Sequence, residues 1–185
     1  MGLSQQIVTD EKLINGERKG IAMSTMRRKD KEITEKVVIE EILRENQVGR
    51  LATAVDGEPY IVPMNYAYLS GRILMHTHRD GKKVRDIKRN PRVCFEVDSG
   101  EMVEGDDPCG YSWEYRSVVA RGDARIVEDP EEKLRALRVI SDKYAFGKGQ
   151  RLDQAKVDRF SDLVIIEVTI REMTGKRSPV KPKEQ

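Results

Sequence analysis

The chain is 185 residues long, enough for one domain with a substantial core. Charged residues make up 36% of it, yet 34 Lys and Arg against 32 Asp and Glu leave a net charge of only +2. So close a balance gives no large field of one sign, and nucleic acid is not an expected partner. No apolar run approaches the ~20 residues of a membrane span, so no membrane association is expected. Met1 to Arg27 is polar throughout and holds no apolar signal core. The two cysteines, Cys94 and Cys109, make neither a disulfide framework nor a C-x-x-C pair. Free thiols fit a reducing compartment, and the expected location is cytoplasmic.

Residues 1–30 show no steady period and read as an N-terminal extension, flexible or docked on a partner subunit. From Thr34, a plausible N-cap, Val37, Val38, Ile42 and Leu43 recur at helical spacing up to Asn46, and Gly49 ends the helix. Val48–Val55 reads as the first strand, and Asp56-Gly57 is a strong hairpin signal. Pro59–Leu69 is the second strand, and Ser70-Gly71 turns into the third, Arg72–Thr77. A polar stretch from His78 to Lys83 leads into a short helix ending near Arg89, broken by Asn90-Pro91. Arg92–Val97 is the fourth strand. Residues 98–112, acidic and rich in glycine, read as a mobile loop. Trp113–Val127 is a long fifth strand. Asp129-Pro130 opens a helix of about four turns at ~1.5 Å rise per residue, with Leu134, Leu137, Ile140 and Tyr144 on one stripe. A short helix near 153–160 and a sixth strand, Leu163–Ile170, follow. From Gly175 the chain is basic and reads as frayed.

Six mostly antiparallel strands with peripheral helices predict a mainly β fold, a small closed or split barrel with the first helix plugging one end. The organisation expected is an extension over 1–30, the barrel over 31–175 and a basic tail over 176–185.

The densest polar cluster is His76-Thr77-His78-Arg79-Asp80-Gly81-Lys82-Lys83, where a strand ends and a helix begins. Helix N-termini present free N–H groups and partial positive charge, which suits a phosphate. Lysine adds a point charge and the Thr77 hydroxyl a donor. The same residues also read as a solvated basic helix start. His76 and His78, the only histidines, share a strand face and could chelate a metal, with Cys94 as a further ligand. Trp113-Glu114-Tyr115-Arg116-Ser117 either packs on the barrel or forms an aromatic and cationic platform for a flat ligand. No G-x-S-x-G, Walker A or Rossmann glycine pattern occurs.

Taken in order, Leu51-Ala52-Thr53, Gly57-x-Pro59-Tyr60, Val62-Pro63-Met64-Asn65-Tyr66, His76-Thr77 with Gly81-Lys82-Lys83, Asn90-Pro91-x-Val93-Cys94-Phe95 and Tyr115-Arg116-Ser117-Val118 resemble the pyridoxamine-phosphate-oxidase-like flavoproteins. The resemblance spans roughly residues 26–175 and leans to the branch with nitroimidazole-resistance proteins. It implies a six-stranded antiparallel split barrel and a homodimer with FMN at the interface. Val62, Pro63, Met64, Asn65 and Tyr66 would lay their backbone along the flavin's polar edge. His76 and Thr77 match an aromatic-Thr pair, with Thr77 reaching the phosphate. Lys82 and Lys83 match paired cationic positions, where Lys82 in place of Arg loses bidentate geometry. Arg116 and Ser117 would reach the flavin from the second subunit, with Trp113 close by.

The chain departs from true pyridoxamine-phosphate oxidases in having no Trp or His after Trp113. Vitamin B6 oxidation is therefore not expected, and the acidic insertion Glu101–Cys109 reads as a lid over another substrate. The activity implied is an FMN-dependent reductase that passes electrons from reduced nicotinamide to a small acceptor such as a nitro compound or quinone. His76 is the candidate for proton delivery, or only a packing contact to the cofactor. A non-catalytic protein that stores or senses FMN, or a split barrel using deazaflavin or haem, are the alternatives.

Overall fold

Two tight turns set the first half of the chain. Asp56 and Gly57 have φ of 54° and 84°, and Ser70 and Gly71 have 47° and 83°, the paired positive values of the hairpin turn that matches strand twist. The first joins β3 (Val48–Val55) to β4 (Glu58–Asn65), and the second joins β5 (Ala67–Leu69) to β6 (Arg72–His78). The remaining long strands are β7 (Arg92–Val103), β8 (Ser112–Val127) and β9 (Leu163–Arg177). Two short ones, β1 (Ala22–Met23) and β2 (Glu32–Ile33), pair with the far end of β9. The computed structural model describes residues 22–23, 26–105 and 110–179.

The sheet runs β4-β3-β7-β8-β9-β6-β5. Its two ends, β4 and β5, are consecutive in the chain and separated only by Tyr66. A sheet whose ends are covalently joined must curl closed, so this order defines a barrel. The path holds seven strands where the sequence predicts six, because the expected strand 59–69 breaks at Tyr66.

Alternation sorts the strands into two faces. Leu51, Thr53, Met64, Tyr66, Ile73, Met75, Phe95, Val97, Val118 and Ala120 point inward and are buried. Helix α1 (Lys36–Glu45) seats Ile39, Ile42 and Leu43 in that core, the plug expected from sequence. Helix α2 (Lys82–Arg89) adds Val84 and Ile87. Helix α3 (Pro130–Tyr144) packs outside, where Ala136 and Ile140 meet Ala67, Leu74 and Ile165. It begins where expected: the Asp129 carboxylate accepts from the Glu132 N–H at 2.8 Å, with Pro130 next. The last helix, α4, is short (Gln154–Asp158).

Other expectations are corrected. Helix α1 starts after Glu35, because the Thr34 N–H and hydroxyl both turn to the Glu35 carboxylate. Gly49 does not end that helix; Asn46 does, its side chain donating to the Ile42 carbonyl at 2.9 Å. Gly49 lies within β3 under Phe95, where a Cβ would sit 2.1 Å from the ring. The loop expected over 98–112 is strand at both ends, since β7 and β8 pair without interruption from Arg92↔Asp123 to Val103↔Ser112. The tail is not frayed at its start. Gly175 and Lys176 pair with β2 and β8, and the Ser178 N–H donates to the Tyr115 carbonyl at 2.9 Å. Of the expected extension 1–30, β1 and residues 26–30 are described; 1–21 and 24–25 lie outside the described residues, as do 106–109 (with Cys109 and most of the expected lid tip) and 180–185.

The break at Tyr66 is held from two sides. Its hydroxyl donates to the Leu43 carbonyl at 2.6 Å, and its N–H donates to the Tyr144 hydroxyl at 2.8 Å. The Tyr144 proton is shared between the carbonyls of Gln47 and Tyr66. Lys143 lies 2.6 Å from the Asn46 carbonyl and 3.6 Å over the Tyr66 ring. Replacing Tyr144 by Phe strands the Tyr66 N–H and the Gln47 carbonyl. The expected loss is about 1–3 kcal/mol, read as a lower urea midpoint at unchanged m-value.

Candidate functional site at the barrel seam

Closure leaves one gap. Strand β4 pairs with β3 along its whole length, and among the described residues no strand covers its other edge. Strand β6 has β9 beside it from Arg72 to His78, while β5 covers its other side only at Arg72–Leu74. The free edges of β4 and of Met75–His78 therefore border a common seam, where β4 and β6 approach without pairing.

The turn fixes which backbone groups the seam receives. A two-residue turn is closed by a hydrogen-bonded pair, here Val55 and Glu58, so even-numbered residues of β4 bond to β3. Pro59 and Pro63 obey the same parity, since a proline belongs where its nitrogen faces away from the ladder. Odd-numbered residues thus turn their backbone to the seam, with N–H groups from Ile61 and Asn65. This narrows the expected backbone contacts. Among Val62, Pro63, Met64, Asn65 and Tyr66, only Pro63 and Asn65 present free backbone groups. Val62 and Met64 are committed to β3 and face the core, and the Tyr66 N–H is taken by Tyr144.

At the end of the seam stands the N-terminus of α2. Gly81 caps it without a side chain, and the N–H groups of Lys82 and Lys83 have no partner among the described residues. The Lys83 ammonium folds back beside Gly81, 3.6 Å from where a Cβ would stand there. It makes no ion pair among the described residues. Lys82 differs. Its ammonium contacts both oxygens of Asp86, at 2.8 and 3.0 Å, and stands 4.8 Å from the centre of the Tyr60 ring. Asp86 is buried and also accepts from the buried Thr53 hydroxyl at 2.8 Å. The Lys82 ammonium and Thr53 hydroxyl hold the Asp86 carboxyl below its usual range, against the opposing pull of burial. Sequence reasoning passed over Asp86, although its i,i+4 spacing from Lys82 on a helix was a signal.

Alternation on β6 separates the expected pair His76 and Thr77. Ile73, Met75 and Thr77 face inward, while Leu74, His76 and His78 face outward. At the strand's end His76, Thr77 and His78 line a cleft of about 480 Å³, closed on the far side by Arg159–Leu163. Nothing in the sequence marked that second wall. His76 is exposed, and the described residues contain no cluster of three metal-ligating side chains. The other expected residues do not join the seam within one chain. Trp113, Arg116 and Ser117 lie on β8, three strands from β4 and two from β6 along the sheet. Trp113 is half exposed, Ser117 pairs with Asp98, and Arg116 is 2.7 Å from Glu45. Cys94, the third metal ligand considered, lies on β7 opposite Ala52.

The start of α2 fits the phosphate end of a flavin, with an ammonium free of ion pairs among the described residues and free helix N–H groups, beside an open strand edge that can bond to a flat polar ring; the Thr77 hydroxyl lies at the end of β6, four residues before Gly81. An antiparallel barrel open along one seam defines the split-barrel class. The family model described as Pyridoxamine 5'-phosphate oxidase matches residues 35–177, and the chain belongs to that family. Among solved structures, a candidate 5-nitroimidazole antibiotic resistance protein from Bacteroides thetaiotaomicron is 28% identical, with a TM-score of 0.66 over 79% of this chain and 86% of that one. An FAD-binding protein from Mesorhizobium loti is 25% identical, with a TM-score of 0.52 over 78% of this chain and 95% of that one. An FAD- and haem-binding protein from Mycobacterium smegmatis shares the fold at 16% identity, with a TM-score of 0.73 over 84% of this chain and 77% of that one. No curated protein matches the sequence.

Asp86 gives this corner a pH signature. A carboxyl depressed in the folded state contributes stability that is complete above its unfolded value of about 3.9 and is lost as pH falls through the folded value. Asp86→Asn is expected to cost about 1–3 kcal/mol at pH 7. In chemical denaturation the gap to the wild type should narrow below about pH 4.

Proposed function

We propose that the chain is an FMN-binding oxidoreductase working as a homodimer. One observation carries this reading: the uncapped start of α2, with the Lys83 ammonium beside Gly81, stands at the end of a seam whose β4 edge offers unpaired backbone groups, and Thr77 lies at the end of β6, four residues before Gly81. A phosphate dianion calls for the first set, and a flat heteroaromatic ring with alternating donors and acceptors calls for the second. Related proteins that bind flavins support the same reading. Bound FMN would supply two-electron transfer between reduced nicotinamide and a small acceptor such as a nitro compound or quinone.

The chain's own residues bind and orient. Lys83 and Thr77 hold the phosphate. Ile61, Pro63 and Asn65 hold the ring edge through their backbone. His76, on the cleft side of β6, is placed to exchange a proton with a substrate entering between it and Arg159–Leu163. Trp113, Arg116 and Ser117 complete the site from a second chain. The apolar side chains of Val48 and Ile61, 47% and 60% exposed on the outer face of β3 and β4, favour such a partner.

The purified protein, supplemented with FMN, is expected to show flavin absorption bands and to oxidise reduced nicotinamide when a nitro compound or quinone is present. Flavin bands without turnover would leave a storage or sensing protein. A haem band in place of flavin bands would redirect attention to His76 and His78, and a protein that ignores FMN would refute the cofactor. Light scattering should return about twice the 21.2 kDa chain mass. A stable monomer with cofactor bound would contradict the shared site.

A further inference from the structure

Resting on the flavin-phosphate reading above, we propose that Asp86 is a positioning residue of the anion corner: it holds Lys82 away from the phosphate and leaves Lys83 as the side-chain cation that binds it. Asp86 is 6% exposed, and both of its oxygens are engaged by Lys82, one of them also by Thr53. Pulling Lys82 off to meet a ligand would leave a buried carboxylate without its counter-charge, a costly state. The Tyr60 ring gives the Lys82 ammonium a third partner on the same side. Lys83 follows by one residue, about 100° further round the helix at 3.6 residues per turn, and has no acid beside it among the described residues. The two lysines are neighbours in sequence with opposite duties. Lys82 ties α2 to β3 and β4, while Lys83 stays available.

The charge balance makes this testable. Lys82 and Asp86 cancel, so the corner offers a phosphate the charge of Lys83 plus the helix N–H groups. Removing only the Asp86 charge releases Lys82 and adds a second cation. Removing both charges restores the original balance.

Affinities for FMN and for riboflavin, which lacks the phosphate, are measured by fluorescence quenching in the wild type, Lys83→Met, Asp86→Asn and the double variant Asp86→Asn with Lys82→Met. The ratio of the two affinities isolates the phosphate, because a general loosening of the site weakens both ligands and leaves the ratio unchanged. The ratio is expected to fall roughly tenfold or more in Lys83→Met and to rise roughly tenfold in Asp86→Asn, the scale of one charge-assisted contact. In the double variant it returns to the wild-type value. A double variant that loses the ratio as Lys83→Met does would overturn the proposal, because Lys82 would then be a phosphate ligand. An unchanged ratio in Asp86→Asn would overturn it equally. If the wild type binds neither flavin, the cofactor reading fails on its own, and the lysine assignment is decided by acetylation with inorganic pyrophosphate as the probe. Protection of Lys83, with slow labelling of Lys82 that quickens in Asp86→Asn, upholds it. Equal protection of both lysines refutes it.

Discussion

Tyr66 has its three polar groups tied to two helices: the hydroxyl to the end of α1, the N–H and carbonyl to Tyr144 at the end of α3. Its ring packs edge-on against Phe95 across the barrel, with centroids 4.8 Å apart. This one residue joins the two ends of the strand path, so closure of the barrel passes through it. The bend there also swings β5 onto β6 and frees β4 from any second partner. A straight strand over 58–69 would have carried its ladder across the gap and sealed it. The open seam, and with it the site, follows from where the strand is made to break.

Charge is managed locally around that frame. On the outer face Glu167 sits between Arg125 at 2.8 Å and Arg72 at 3.3 Å, joining β6, β8 and β9, and Arg125 continues to Glu132 on α3. Arg50 bridges Glu96 and Asp98 across β3 and β7. The Arg50 pairs, partly exposed on both sides, contribute little stability one by one, whereas Glu167 is buried and depends on its two arginines for its charge. The chain's 66 charged side chains sum to a near-neutral total because the two signs are almost equal in number, and many Lys and Arg, Lys83 among them, make no ion pair among the described residues. What sets Lys83 apart is its place, at a helix start whose cap residue is a glycine with no side chain to cover the first N–H groups.

Much of this was legible in the sequence because it is governed by neighbours along the chain. Asp56-Gly57 and Ser70-Gly71 announced their turns, and Asp129-Pro130 announced α3, since backbone conformation and capping are local. The passage from β6 through Gly81 into α2 was legible for the same reason: strand end, glycine and lysines lie close together in the chain. What failed depended on distant partners. The stretch after Asp98 reads as loop by composition, yet a twelve-pair ladder with β8 makes its first part strand. The break at Tyr66 is set by Leu43 and Tyr144, far away in sequence. Parity of the β4 backbone was readable in principle from Pro59 and Pro63, but only once its partner was known. The roles proposed for Trp113, Arg116 and Ser117 require a second chain, and one chain's geometry keeps these residues away from the seam.

The central claim is that the two free strand edges of the seam hold the ring of a flavin. Amide hydrogen exchange, resolved by residue with and without FMN, tests it most directly. The account predicts that Ile61 and Asn65 exchange quickly in the free protein and slow when FMN binds, together with Lys82 and Lys83 at the start of α2. Protection confined to the outer cleft around Phe160 and Asp162, with the β4 edge unchanged, would contradict it.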